Sequence, residues 1–403
     1  MKALALLLGS LAFGAGAAAG CGGEAGVLSQ NESAWRTISA APLSPRSSAA
    51  AAWTGERIIV VGGENLDVWQ GPDDRRFRAG YSYNPRTKTT TWLAAEWFSD
   101  AAAYDPAADR WERLPPSPLA AAGSAAFWTG RELLVWGGFG ERYDQVIDGV
   151  AYDPTRRRWR QLARFPAGKG LAWSAVWTGR ELLVWGGFDH QPDRPPVGAA
   201  YDPTADRWRP IAPFPLEVRQ WHTAVWTGRE MLVWGGDDLV QPAFADGAAY
   251  DPKADSWRVL APAPIAGRYR HHAVWTGDEM LVWGGKNGPG ELGDGAAYDP
   301  DTNTWRTLPE SPLAGRHWAS VIWTGREMLV WGGSTDWRTY RDGAAYDPER
   351  DRWRTLPSAP ISGRCHNAAV WTGSELITWG GTEACGSFGH RLADGAVYAP
   401  PAR

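Results

Sequence analysis

Arginine, histidine and tryptophan gather at fixed places in this chain: Arg219-Gln220-Trp221-His222, Arg268-Tyr269-Arg270-His271, Arg316-His317-Trp318 and Arg364-Cys365-His366. A guanidinium grips carboxylates with a planar fork of donors, an imidazole moves protons near neutral pH, and an indole stacks on flat partners. These types suit recognition of a polar ligand or acid–base work, and the spacing narrows the choice. Arg46, Arg219, Arg268, Arg316 and Arg364 each stand seven residues before the Trp of a Trp-Thr-Gly triplet. Asp100, Asp148, Asp246, Asp294, Asp342 and Asp394 each precede a short apolar segment. Where both are missing, Gly170 and Val197 stand in their places. This co-occurrence predicts a structural clasp, Arg219 with Asp246, Arg268 with Asp294, Arg316 with Asp342 and Arg364 with Asp394, in preference to a ring of ligand-binding arginines. The residues that break the pattern are the expected ligand contacts: Trp173, Trp221, Arg270, His317, Trp318, Trp337 and His366. Arg270, His317, His366 and Glu383 can carry protons, but no spacing demands catalysis. We find no Ser/His/Asp hydrolase signature, phosphate loop, Asp-x-Asp-x-Asp-Gly calcium loop or strong metal motif, so no metal or cofactor is expected.

These residues hang on a repeat. Gly-Gly doublets begin at 62, 137, 186, 235, 284, 332 and 380, and the last five intervals are 49, 49, 49, 48 and 48 residues. Each unit reads as a strand ending in Trp-Thr-Gly, a strand ending in Gly-Gly, a variable loop, a Gly-Ala-Ala-Tyr-Asp-Pro segment and a Trp strand. The segments are too short for helices and are bounded by Gly, Pro and Asp turns, which predicts four antiparallel strands per unit. The doublet, the Tyr-Asp-Pro turn, the following Trp and the Arg-x-x-His pairs Arg219/His222 and Arg268/His271 resemble the Kelch family of β-propellers, over nearly all of residues 34–398. The resemblance implies an all-β, seven-bladed propeller, with blades set around a channel. Of the 27 Trp, twenty occupy three repeat positions and are read as core between blades. Seven fourth-strand tryptophans are reached only by including Trp35, which precedes the first hairpin. Ala34–Ser39 is therefore expected to supply the outer strand of blade seven and close the circle. About 26 extra residues within 64–100 read as an excursion from one face, with a degenerate eighth blade as the alternative.

The net charge is −4 over 403 residues without a basic run, which argues against nucleic acid. Residues 1–20 read as an export signal. Its end, Ala18-Ala19-Gly20-Cys21, resembles the lipobox of bacterial lipoproteins and implies lipidation of Cys21; Ala18 departs from the usual Leu and leaves plain cleavage after Ala19 open. Residues 21–33 are a flexible tether, 34–398 the propeller and 399–403 a tail. The protein is then exported: lipid-anchored in the cell envelope (outer membrane or cell surface), or periplasmic or secreted, touching membrane only through the anchor. Cys365 and Cys385 are left as a disulfide pair, or as buried thiols.

The Trp-Thr-Gly and Tyr-Asp-Pro turns share one end and are uniform, while the loops at the other end vary and hold the odd Trp and all seven His. A rigid scaffold with one diversified face predicts a non-catalytic recognition module for a glycan, peptide or protein partner on that face. Two alternatives stay open. Galactose oxidase and a sialic acid mutarotase are Kelch-like propellers, so a carbohydrate-active enzyme is one, although galactose oxidase takes a copper-binding His from an added C-terminal domain and that set does not carry over. The other is a structural subunit of an envelope complex.

Overall fold

The computed structural model describes residues 34–69, 78–84, 89–140, 145–166, 171–188, 198–238, 242–384 and 389–401. The signal, the lipidation site Cys21, the tether and Cys385 lie outside the described residues.

Seven four-stranded antiparallel sheets form, one per repeat. In blade four they are Thr223–Trp226, Met231–Trp234, Gly247–Asp251 and Ser256–Val259. The second strand shows why the repeat must stack. Met231 and Val233 point toward blade three and pack with Val176, Leu183 and Trp185. Leu232 and Trp234, on the opposite face, pack with Met280, Val282 and Tyr298 of blade five. Side chains alternate across a strand, so a run apolar at every position is buried on both faces. Trp185, Trp234, Trp283 and Trp331 are fully buried at these seams. Each contributes up to about 5 kcal/mol by area, several times the net worth of a single hydrogen bond.

Polar bonds then set how the blades register. Every outer-strand indole donates to a carbonyl of the preceding blade's exit loop: Trp111 to Ser39, Trp159 to Pro115, Trp208 to Ala163, Trp257 to Ala212, Trp305 to Ala261 and Trp353 to Pro309, at 2.8–3.1 Å. The Gly-Gly doublet makes the matching bond at the other end. Gly236 N donates to Arg268 O of the next blade at 2.8 Å, and the preceding Gly235 is at φ +72° with the same oxygen 2.8 Å from where a Cβ would sit. That approach excludes any side chain.

The circle closes as expected. Ala34–Thr37 pairs with Gly395–Ala399, with Trp35 opposite Tyr398. Trp35 donates to Pro357 O at 3.0 Å like the other outer-strand indoles, and Gly381 N donates to Arg46 O at 2.8 Å, the bond that Gly63, Gly236, Gly285 and Gly333 make to Ala121, Arg268, Arg316 and Arg364. The insertion is not an eighth blade: Glu64–Trp69, Arg78–Asn84 and Thr89–Trp97 form a separate three-stranded sheet.

The uniform rear end carries a second ring that the repeat spacing did not lead us to expect. Arg258 grips Glu230 with two bonds (3.1 and 2.8 Å) and donates to Tyr298 of blade five at 2.9 Å; Tyr298 donates to Asn303 at 2.7 Å. The same Glu–Arg–Tyr relay recurs at Glu181–Arg209–Tyr250, Glu279–Arg306–Tyr346 and Glu327–Arg354–Tyr398. Tyr250 and Tyr346 are pushed up to about 12, first by burial and then by the neighbouring carboxylate.

Candidate functional site

The front arginines sit inside the blades. Arg46, Arg219, Arg268, Arg316 and Arg364 are all fully buried. They reach Asp100, Asp246, Asp294, Asp342 and Asp394 at 2.5, 2.7, 3.0, 2.7 and 2.8 Å. Each also donates to the carbonyl of the residue two before it and to that of the first doublet glycine, as Arg316 does to Ala314 O (2.9 Å) and Gly332 O (3.1 Å). One guanidinium thus ties the blade entry, the end of strand two and the start of strand three. None of the five offers surface to a ligand.

Two residues further on, the backbone turns left-handed. Ser48, Trp221, Arg270, Trp318 and His366 have φ of 51–56°, and Gly123 has 69°. This conformation is costly for a bulky side chain, of order 1 kcal/mol or more, and tends to persist at functional sites. These residues form an inner rim where the first strands begin. Ser48 N donates to His366 O (2.8 Å), Gly123 N to Ser48 O (2.7 Å) and Arg270 N to Trp221 O (3.0 Å). The turn carries the side chain away from the blade interior that holds the preceding arginine.

The rim is lopsided. Blades one and two contribute only Ser48 and Gly123, whereas blades four to seven contribute Trp221, Arg270, Trp318 and His366. The Arg270 guanidinium lies between two indoles, 4.2 Å from the Trp221 ring centre and 4.5 Å from that of Trp318. His366 packs on Trp318 at 4.3 Å with its ring tilted by 45°, and His317 meets it edge-on at 4.4 Å. Among the described residues no hydrogen-bond acceptor or carboxylate pairs with the Arg270 side chain, and its Nε is buried without a partner. Burial is the leading cause that lowers its pKa.

The structure brings together Trp221, Arg270, His317, Trp318 and His366, but not all in the expected role. His317 is fully buried and supports Trp318 from beneath, so it has no surface for a ligand. Trp173 sits apart, edge-on to Trp136 (5.9 Å) and Phe165 (5.2 Å) in the seam of blades two and three. Trp337 stands at the tip of its own turn, 69% exposed. Cys365 is buried and disulfide-bonded.

Burial, followed by nearby Lys286 and Arg270, pushes His317 down to about 3, and burial followed by Arg270 pushes His366 down to about 4. Both are neutral at pH 7, which makes them poor proton donors. Glu291, His317 and Asp336 lie close enough to share a metal ion. Lys286 already occupies that place, with its Nζ 2.5 Å from Asp336 and 3.7 Å from Glu291. Lys286 pairs with both carboxylates, so a divalent ion would have to displace a buried ammonium that already compensates them.

Sequence reasoning passed over the residue after each doublet. Glu64, Asp237, Lys286, Ser334 and Thr382 are buried and polar there, each bridged to the residue that follows the clasp arginine. Blades two and three have Phe139 and Phe188 instead. That switch of type at a fixed repeat position was a readable signal.

Residues 172–381, just over half of the chain, match the family model described as the KLHDC2/KLHL20/DRC7 Kelch-repeats domain. No curated protein matches the chain.

Proposed function

The chain belongs to the Kelch-repeat family, whose propellers commonly mediate protein interactions, and on that premise we propose that it is a non-catalytic recognition module binding a peptide segment of a protein partner at the front rim. The observation that carries this reading is Arg270, a stacked guanidinium without a hydrogen-bonded partner, held at the rim by a left-handed backbone. Stacking orients the fork and lowers the entropy lost on binding, which suits a carboxylate or other strong acceptor. A peptide fits better than a glycan, because the faces of Trp221 and Trp318 that would stack on a sugar are partly covered by Arg270. His366 at the rim and His317 beneath it are both held neutral by burial, which speaks against acid–base catalysis. Export, with Cys21 lipidated and Cys365 bridged to Cys385, is part of the same proposal. The bonded state of Cys365 supports an oxidising compartment.

The test is binding of the purified protein to peptide and glycan arrays. Saturable binding to carboxylate-bearing peptides is expected, weakened about 30-fold or more by Arg270→Ala at unchanged melting temperature, as for a central arginine hot spot. Saturable glycan binding, or peptide binding indifferent to Arg270→Ala, would overturn it.

A further inference from the structure

We propose that the turn carrying Trp337, together with Arg338 and Arg341, is a second docking surface, and that its occupant is an acidic segment of a partner protein. The proposal shares the binding-module reading but uses none of the rim residues.

The turn is held rigidly from within. Thr335 N donates to Arg338 O at 2.8 Å, and the Thr335 hydroxyl accepts from Trp337 N and Arg338 N at 3.2 and 3.1 Å. Asp336 is anchored by buried Lys286 at 2.5 Å. Thr339 Oγ1 donates to Glu383 O at 2.7 Å, and Tyr340 N to Gly333 O at 2.9 Å. Every other residue of 335–340 is thus tied down. Trp337 and Arg338 project from the tip, and Arg341 follows just beyond it.

Their exposure lacks an internal explanation. Trp337 and Val259 are the two exposed large hydrophobic residues among those described. The Arg338 and Arg341 side chains have no carboxylate partner among the described residues, whereas the arginines of the clasps and the rear relay are paired. The one ring near Arg338 is Tyr340, 5.0 Å away. The two arginines line a surface cavity of about 310 Å³ with Thr339, Tyr340, Asp342 and Gly363, and Asp342 is already held by Arg316. The surplus charge in this cavity is positive, in a chain whose net charge is −4. An exposed indole beside unpaired guanidinia is the composition of interface hot spots, and rigid presentation reduces the entropy lost on docking. Charge complementarity selects carboxylates, with an apolar side chain over the indole.

The test uses the full protein and a fluorescein-labelled dodecapeptide of Glu and Asp with one central Leu, followed by anisotropy. Saturable binding is expected, weakening several-fold between 50 and 200 mM salt. Trp337→Ala and the double variant Arg338→Ala/Arg341→Ala should each weaken it at least about tenfold without changing the melting temperature. Arg270→Ala should leave this binding within about twofold, which separates failure of this surface from failure of the rim. An unaffected double variant would overturn the proposal. So would a single-stranded oligonucleotide or phosphatidylglycerol vesicles bound more tightly than the peptide through the same residues.

Discussion

Removing either end of one clasp should cost very different amounts, and the difference tests whether these arginines are structural. Arg268 is fully buried, while the side chain of Asp294 is 53% exposed. Arg268 makes three contacts to carbonyls, Nε to Ala266 O at 3.1 Å and Nη1 to Gly284 O at 3.1 Å and to Asp294 O at 3.0 Å, and a two-point grip on the Asp294 carboxylate, Nη1 to Oδ1 at 3.0 Å and Nη2 to Oδ2 at 3.1 Å. Asp294→Ala deletes only the last. The guanidinium keeps three carbonyl acceptors, and the lost ion pair was half in water, so the cost is about 1–2 kcal/mol, between exposed and buried pairs. Arg268→Ala leaves the buried Gly284 carbonyl and the half-buried Ala266 carbonyl without this donor, leaves Asp294 O only Gly284 N, and empties the volume of a long side chain, which costs about 3–5 kcal/mol. The unfolding entropy of a fold of this length is about 0.8 kcal/mol per degree, so the melting temperature should fall by roughly 4–6 °C for the arginine and 1–3 °C for the aspartate. Thermal denaturation of the two single variants and their double variant reads this directly. Equal losses, or a larger one for Asp294→Ala, would refute the picture of a guanidinium held mainly by backbone carbonyls.

Two further expectations follow from the same packing. Deleting residues 34–40 removes the outer strand of blade seven and the Trp35–Pro357 bond, and bares the edge of Gly395–Ala399; a melting temperature at least about 10 °C lower, or soluble aggregates on size exclusion, is expected, and melting like the full chain would count against a structural seam. Acid should destabilise the fold through buried histidines: burial holds His222 and His317 at about 3 and His271 well below its ordinary value. The unfolded chain takes up these protons near pH 6.5 and the folded chain does not, so this stability is whole above pH 6.5 and is lost as pH falls toward 3, by about 1.4 kcal/mol per unit for each histidine. Asp237, raised to about 6 by burial, acts in the opposite sense between pH 6 and 4 and offsets one of them. Denaturant midpoints should drop steadily from pH 7 to 4.5, with a shallower slope in His271→Gln, and a flat profile would contradict the burial.

Periodicity explains which parts of this molecule could be read in advance. The indoles before Thr-Gly and Gly-Gly recur because every blade has the same two faces to cover, so their number and spacing announce both the strands and the closure through Trp35. The Glu–Arg–Tyr relay was equally periodic, since a Glu follows nearly every Trp-Thr-Gly turn and an Arg follows most outer-strand indoles. It is harder to read because its members stand 28 and 40 residues apart and the tyrosine belongs to the next blade, so no single repeat displays the relay. The rim was legible differently, as departures from the repeat. Departures locate a site without saying which way a side chain faces, so Trp173 and His317 were grouped with Trp221 although one fills a seam and the other lies under the rim.

Arg268 and Arg270 show where such reading stops. They are two residues apart, identical in type, and both could have been assigned to a ligand. Arg268 is drawn inward by three carbonyls and Asp294. Arg270 follows a backbone held at φ 55° and is laid between two indoles at the rim. The difference arises from the hydrogen bond between Arg270 N and Trp221 O of the neighbouring blade, a contact 49 positions away in sequence. Only when the blades are in place does that bond exist, so the chemistry of the rim is a property of the closed circle, not of any one repeat.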